Sequence, residues 1–87
     1  MKLKPDFVIH SIGDETLMVP TGEAAERFHG IIRLNDTAAF ILEQLQKETT
    51  EAAVAQAVLD AYEIDRPHAE REVEKIVEKL KSIDALM

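Results

Sequence analysis

Between Gly30 and Leu45 the chain passes from a short β-branched run, Gly30-Ile31-Ile32-Arg33-Leu34, through one polar residue, Asn35, into an amphipathic stretch. Asn35 can accept a hydrogen bond from an amide of the next turn, and Asp36 sits where the positive end of a helix dipole favours an acid, so a helix should start at Asp36. Ala38, Ile41, Leu42 and Leu45 follow the i, i+3, i+4, i+7 rule, with Phe40 flanking the stripe. A strand this short can serve as the open edge of a sheet. An edge leaves a row of backbone N–H and C=O groups without partners, which is a template for an added strand.

Upstream, Phe7-Val8-Ile9-His10-Ser11-Ile12 and Glu15-Thr16-Leu17-Met18-Val19 are β-rich runs separated by Gly13-Asp14, where glycine permits the positive φ of a two-residue hairpin turn. Pro20 cannot donate to a ladder, so the second strand is expected to stop at Val19 and Thr21-Gly22 to open a polar loop to about His29. The third strand is expected over Gly30–Leu34.

Downstream, Lys47-Glu48-Thr49-Thr50 break the helical pattern, and Thr50 can cap a second helix, Glu51–Ala61, whose Val54, Ala57, Val58 and Ala61 share one face. Asp65 suits the N-cap of a third helix, because Pro67 falls in the first turn, where its missing N–H costs nothing. That helix should run to about Asp84, with Ala69, Val73, Ile76, Val77, Leu80 and Ile83 on one side. Its opposite face is rich in Glu, Lys and Arg and reads as solvated. Strands first and helices after predict an α+β fold: a three-stranded antiparallel sheet followed by three helices, winged-helix-like.

The chain of 87 residues makes one domain, spanning 1–87, with one modest core. At 46% hydrophobic and 31% charged it reads as globular and soluble, with no run long enough for a membrane span. No secretory signal is visible, and a cytoplasmic setting is expected. The absence of cysteine removes disulfides and thiolate chemistry. The net charge is −7, with twelve Asp/Glu against six Lys/Arg from residue 35 onwards. Phosphate binding needs a basic face, so nucleic acid is a poor partner.

His10, His29 and His68 lack metal-ligand spacing, and no metal site or cofactor is expected. Asp14-Glu15 and Glu23 with Glu26 are acidic neighbours that a turn and a loop of an acidic protein supply by chance. Thr21-Gly22 lacks the surroundings of a phosphate loop. Without a nucleophile–base set the chain reads as a non-enzyme.

Of Ile31 and Ile32, alternation sends one towards the core and leaves the other facing outward or into a groove. An apolar side chain beside an unpaired edge and a long helix is the physical case for a binding cleft.

The strings Lys4-Pro5-Asp6-Phe7-Val8, Val19-Pro20-Thr21-Gly22, Gly30-Ile31-Ile32-Arg33-Leu34 and, above all, Leu34-Asn35-Asp36-Thr37-Ala38-Ala39-Phe40 resemble the PqqD family, named for its member in pyrroloquinoline quinone (PQQ) biosynthesis and the archetype of the RiPP recognition element. RiPPs are ribosomally synthesised, post-translationally modified peptides. The resemblance implies a winged-helix-like peptide chaperone that captures the leader segment of a precursor peptide and presents it to a modifying enzyme, commonly a radical S-adenosylmethionine enzyme. It further implies that the leader adds as a strand along Gly30, Ile31, Ile32, Arg33 and Leu34 and lies against a helix wall of Val73, Ile76, Val77 and Leu80. The competing reading is a structural or regulatory homodimerising module that binds no leader, since the apolar stripes can serve a homodimer.

Overall fold

In a computed structural model describing residues 1–87, the strands are β1 (Phe7–Ile12), β2 (Glu15–Pro20) and β3 (Ile32–Leu34), and the helices are α1 (Gly22–Arg27), α2 (Asp36–Gln44), α3 (Glu51–Ala61) and α4 (Arg66–Ser82). The sheet is antiparallel in the order β1-β2-β3, as the sequence leads one to expect. Of the two hairpin-turn residues only Gly13 takes a positive φ, +59°, the pattern of a type II′ turn.

Four departures have identifiable causes. Residues 22–27, expected as loop, form α1. Thr21 does not cap it with its side chain, whose hydroxyl donates to the Asp6 carbonyl at 3.2 Å; the cap comes instead from Asp6, whose Oδ2 accepts from the Ala24 N–H at 3.1 Å. A cap from so far upstream leaves no mark in the local sequence. Ala24 then enters the core.

Strand β2 runs one residue further than expected, through Pro20. The Thr21 N–H donates to the Asp6 C=O at 2.7 Å, on the same register that pairs Val8 with Val19 and His10 with Leu17. Because hydrogen-bonded and non-bonded pairs alternate, the Phe7–Pro20 pair is a non-bonded one, and no donor is needed from Pro20 towards β1. On its other side Pro20 sits opposite Gly30 if the register of Met18 with Ile32 is continued. Proline offers no N–H there, so β3 begins at Ile32 and not at Gly30.

Each remaining helix is capped by the residue its sequence offers. Asn35, Thr50 and Asp65 accept from the amides of Ala38 at 2.8 Å, Ala53 at 3.1 Å and His68 at 2.9 Å. Helix α4 ends at Ser82, two residues short of the expected Asp84. Asp84 instead takes φ +57° and closes a Schellman motif, with its N–H on the Lys81 carbonyl and the Ala85 N–H on the Leu80 carbonyl. Lys4 at 3.0 Å and Arg27 at 2.8 Å reach the Asp84 carboxylate, tying the N-terminal segment and α1 to the end of α4.

The core is apolar throughout and is supplied by every layer. Phe7 and Met18 come from the sheet, Ile41, Leu42 and Leu45 from α2 and its end, Val54 and Val58 from α3, and Val73, Val77 and Leu80 from α4. Helix α4 packs chiefly on α3 and α2, whereas β3 packs on β2 and α2.

Candidate functional site

Strand β3 has a neighbour on one side only. Since Val8–Val19 and His10–Leu17 are hydrogen-bonded pairs, residues 15, 17 and 19 of β2 address β1, and residues 16 and 18 address β3. Their partners Leu34 and Ile32 therefore spend their backbone groups on β2. Arg33 lies between them, and its N–H and C=O point away from the sheet. The open edge is thus centred on Arg33 and continues, by the same alternation, towards Ile31.

Side chains alternate with the backbone. Ile32 and Leu34 turn inward and pack half-buried against the core, whereas Ile31 is 62% exposed. Arg33 lies on the outer face, opposite Leu17, with its side chain 80% exposed and its guanidinium 3.4 Å from the Glu15 carboxylate, itself 54% exposed. An ion pair this exposed holds Arg33 weakly. Gly30 has a steric role: a Cβ there would stand 3.0 Å from the Phe28 ring, which closes over it.

The expected helix wall divides. Val73, Val77 and Leu80 are buried in the core, and Val73 also borders a shallow acidic cleft with Glu51, Ala55, Glu70 and Glu74 on the α3 side. Ile76 is only half-buried. At about 100° per residue it lies on the flank of α4 away from Glu70 and Glu74, with Ile83 one heptad further on. A hydrophobic stripe cannot reveal which of its members the core takes; the packing of α2 and α3 decides that.

Beside β3, the start of α2 is pinned by an aromatic contact. Phe40 and the Tyr62 ring meet edge to face at 5.5 Å, and the Tyr62 hydroxyl reaches the Asp36 carbonyl at 3.5 Å. No group of three or more His, Cys, Asp or Glu is arranged to hold a metal ion, and no helix is long and apolar enough to cross a membrane.

These features define a winged-helix-like α+β domain whose third strand is an open edge. The chain belongs to the PqqD family, coenzyme PQQ synthesis protein D, which matches residues 15–86. Two solved structures share the fold. One is TbiB1 in complex with the TbiA(beta) leader peptide, 21% identical, covering 99% of this chain and 94% of that one at a TM-score of 0.77. The other is a lasso peptide synthetase B1 complexed with the leader peptide, 28% identical, covering 93% and 89% at a TM-score of 0.72. No curated protein matches the chain in sequence.

Proposed function

We propose that this protein binds the leader segment of a ribosomally synthesised precursor peptide as an added strand on β3 and presents it to a modifying enzyme. The observation that carries this reading is the unpaired backbone of Arg33 at the outer edge of β3, in a chain of the PqqD family. Both structural neighbours hold leader peptides, which supports it. Gly30, Ile31, Ile32, Arg33 and Leu34 would form the edge, with Ile32 and Leu34 beneath the incoming strand and Ile76 as the part of α4 still available to it. Val73, Val77 and Leu80 would act at one remove, by fixing the position of α4.

Strand pairing supplies affinity with little demand on sequence, and apolar pockets add selectivity. A flexible leader loses conformational entropy on binding, so a Kd of about 0.1–100 μM is expected, corresponding to roughly −9.5 to −5.5 kcal/mol. Binding in that range permits release after modification. The protein would do no chemistry itself, and its enzyme partner would be of the radical S-adenosylmethionine class. The pathway would be PQQ formation or another RiPP.

The test is titration of isotope-labelled protein with synthetic leader segments of the short reading frames encoded beside its gene. Amide shifts should concentrate on Gly30–Leu34 and on the α4 flank bearing Ile76. Shifts centred on α3, or a mass change in the peptide with this protein alone plus S-adenosylmethionine and reductant, would refute the reading.

A further inference from the structure

Resting on strand addition at β3, we infer that Arg33 and Ile31 select the residues of the ligand that face away from the helices. The ligand should carry a carboxylate opposite Arg33 and an apolar side chain two positions away, opposite Ile31. The outward backbone groups at this edge belong to Arg33 of β3 and, where the alternation continues just before the strand, to Ile31, so a strand paired along both must set one residue directly across from each. Directly opposed residues lie with Cβ atoms about 4.5–5.5 Å apart and on the same face. That face is the solvent side of the sheet, where Arg33 and Ile31 both stand exposed.

Arg33 is the one lysine or arginine in the three strands. Its only charged partner, Glu15, is a diagonal neighbour on the next strand and is itself exposed. A carboxylate opposite Arg33 would have a closer cross-strand position than Glu15 has. The net charge of −7 opposes an acidic ligand as a whole. Charges beyond about 8–10 Å are screened at ordinary ionic strength, so one acid at this position answers chiefly to Arg33 and to Glu15, whose exposed carboxylate it would displace from the guanidinium. Ile31 offers the complementary apolar contact, and its exposure is otherwise a cost in solubility. In an antiparallel ligand the acid precedes the apolar residue; in a parallel one it follows, so the order reports the direction of the added strand.

A displayed library of random dodecapeptides, selected against the wild-type protein and against Arg33→Glu, tests this, with the binding site of recovered peptides located by amide shifts. The wild-type pool should place Asp or Glu two residues from an aliphatic or aromatic side chain, and the Arg33→Glu pool should place Lys or Arg where the acid stood. A synthetic peptide from the wild-type pool should bind Arg33→Met about threefold more weakly, whereas its amide analogue should bind both proteins alike. The Arg33→Met comparison stands by itself if the charge reversal fails to fold. Peptides that shift Gly30–Leu34 but carry the same residues in both pools, and that bind Arg33→Met as well as wild type, would overturn this selection rule and leave strand addition standing. Recovery of no peptide, or shifts only elsewhere, would overturn strand addition and the selection rule with it.

Discussion

Met18 of β2 pairs with Ile32 of β3 as the last rung of that ladder, and two residues further on the same register sets Pro20 against Gly30. The proline's missing N–H ends the ladder there and leaves Gly30 and Ile31 outside β3. Pro20→Val restores a donor aimed at Gly30 without touching the Phe28 ring that covers the glycine. The new amide at position 20 should show slowed hydrogen exchange, with Gly30 joining the sheet. Exchange at the rate of an open loop would show that something other than the proline ends β3.

Asp6 holds α1 in place from outside the helix, through the Ala24 amide at 3.1 Å. Asp6→Ala should cost about 1 kcal/mol in urea unfolding, the usual loss for a helix cap. The damage should be local. Amides of Ala24 and Ala25 should lose exchange protection while those of α3 and α4 keep theirs; equal loss everywhere would mean that α1 does not depend on this cap.

Asp84 carries both a charge and a backbone demand. The hydrogen bond from Lys4, then its charge, then Arg27 hold the carboxyl below the ordinary aspartate value. A carboxyl depressed in the folded state stabilises above its unfolded value, about pH 3.9, and loses that contribution as pH falls through the lower folded one. The Tm difference between wild type and Asp84→Asn should therefore be full at pH 7 and close on acidification below about pH 4. Asp84→Ala should melt lower than Asp84→Asn at every pH, since φ +57° suits asparagine better than alanine. A pH-independent gap would rule out the ion pairs as its source.

The hairpin, the caps at Asn35, Thr50 and Asp65, and the opposite facing of Ile31 and Ile32 were legible in the sequence because each is set by neighbours one to four residues away; that Ile32 is the inward one is decided by its packing on the core. Helix α1 was not, because its cap arrives from Asp6. Nor was the division of the α4 stripe. Val73, Ile76, Val77 and Leu80 share one apolar periodicity, and only the packing of α2 and α3 separates the first, third and fourth from Ile76.

That separation predicts opposite outcomes for two truncations on one helix. Leu80→Ala leaves a cavity in a filled core and should cost about 2–5 kcal/mol. Ile76→Ala removes a half-buried side chain and should cost about 1 kcal/mol or less in stability. It should nevertheless weaken leader binding about fivefold, roughly 1 kcal/mol. Calorimetry on the two variants, with and without peptide, reads both effects. Unchanged affinity in a folded Ile76→Ala protein would remove α4 from the groove.

The register also fixes which of two adjacent prolines should matter. Ile32 gives its N–H to β2, opposite Met18, so Ile32→Pro breaks a ladder bond inside the sheet and should destabilise the fold by roughly 1–3 kcal/mol. Arg33 turns its N–H outward, so Arg33→Pro breaks no internal pair. It should stay folded and bind leader at least about tenfold more weakly, about 1.4 kcal/mol, from the loss of one edge donor and some strand geometry. Charge reversal at Glu51, at the start of α3, serves as the control: that helix packs chiefly on α2 and α4, not on β3, and the change should leave affinity near the wild-type value. Thermal melts identify which proline variant is folded, and titration of that variant reads the edge. If Arg33→Pro folds and binds as wild type does, the peptide does not pair with β3.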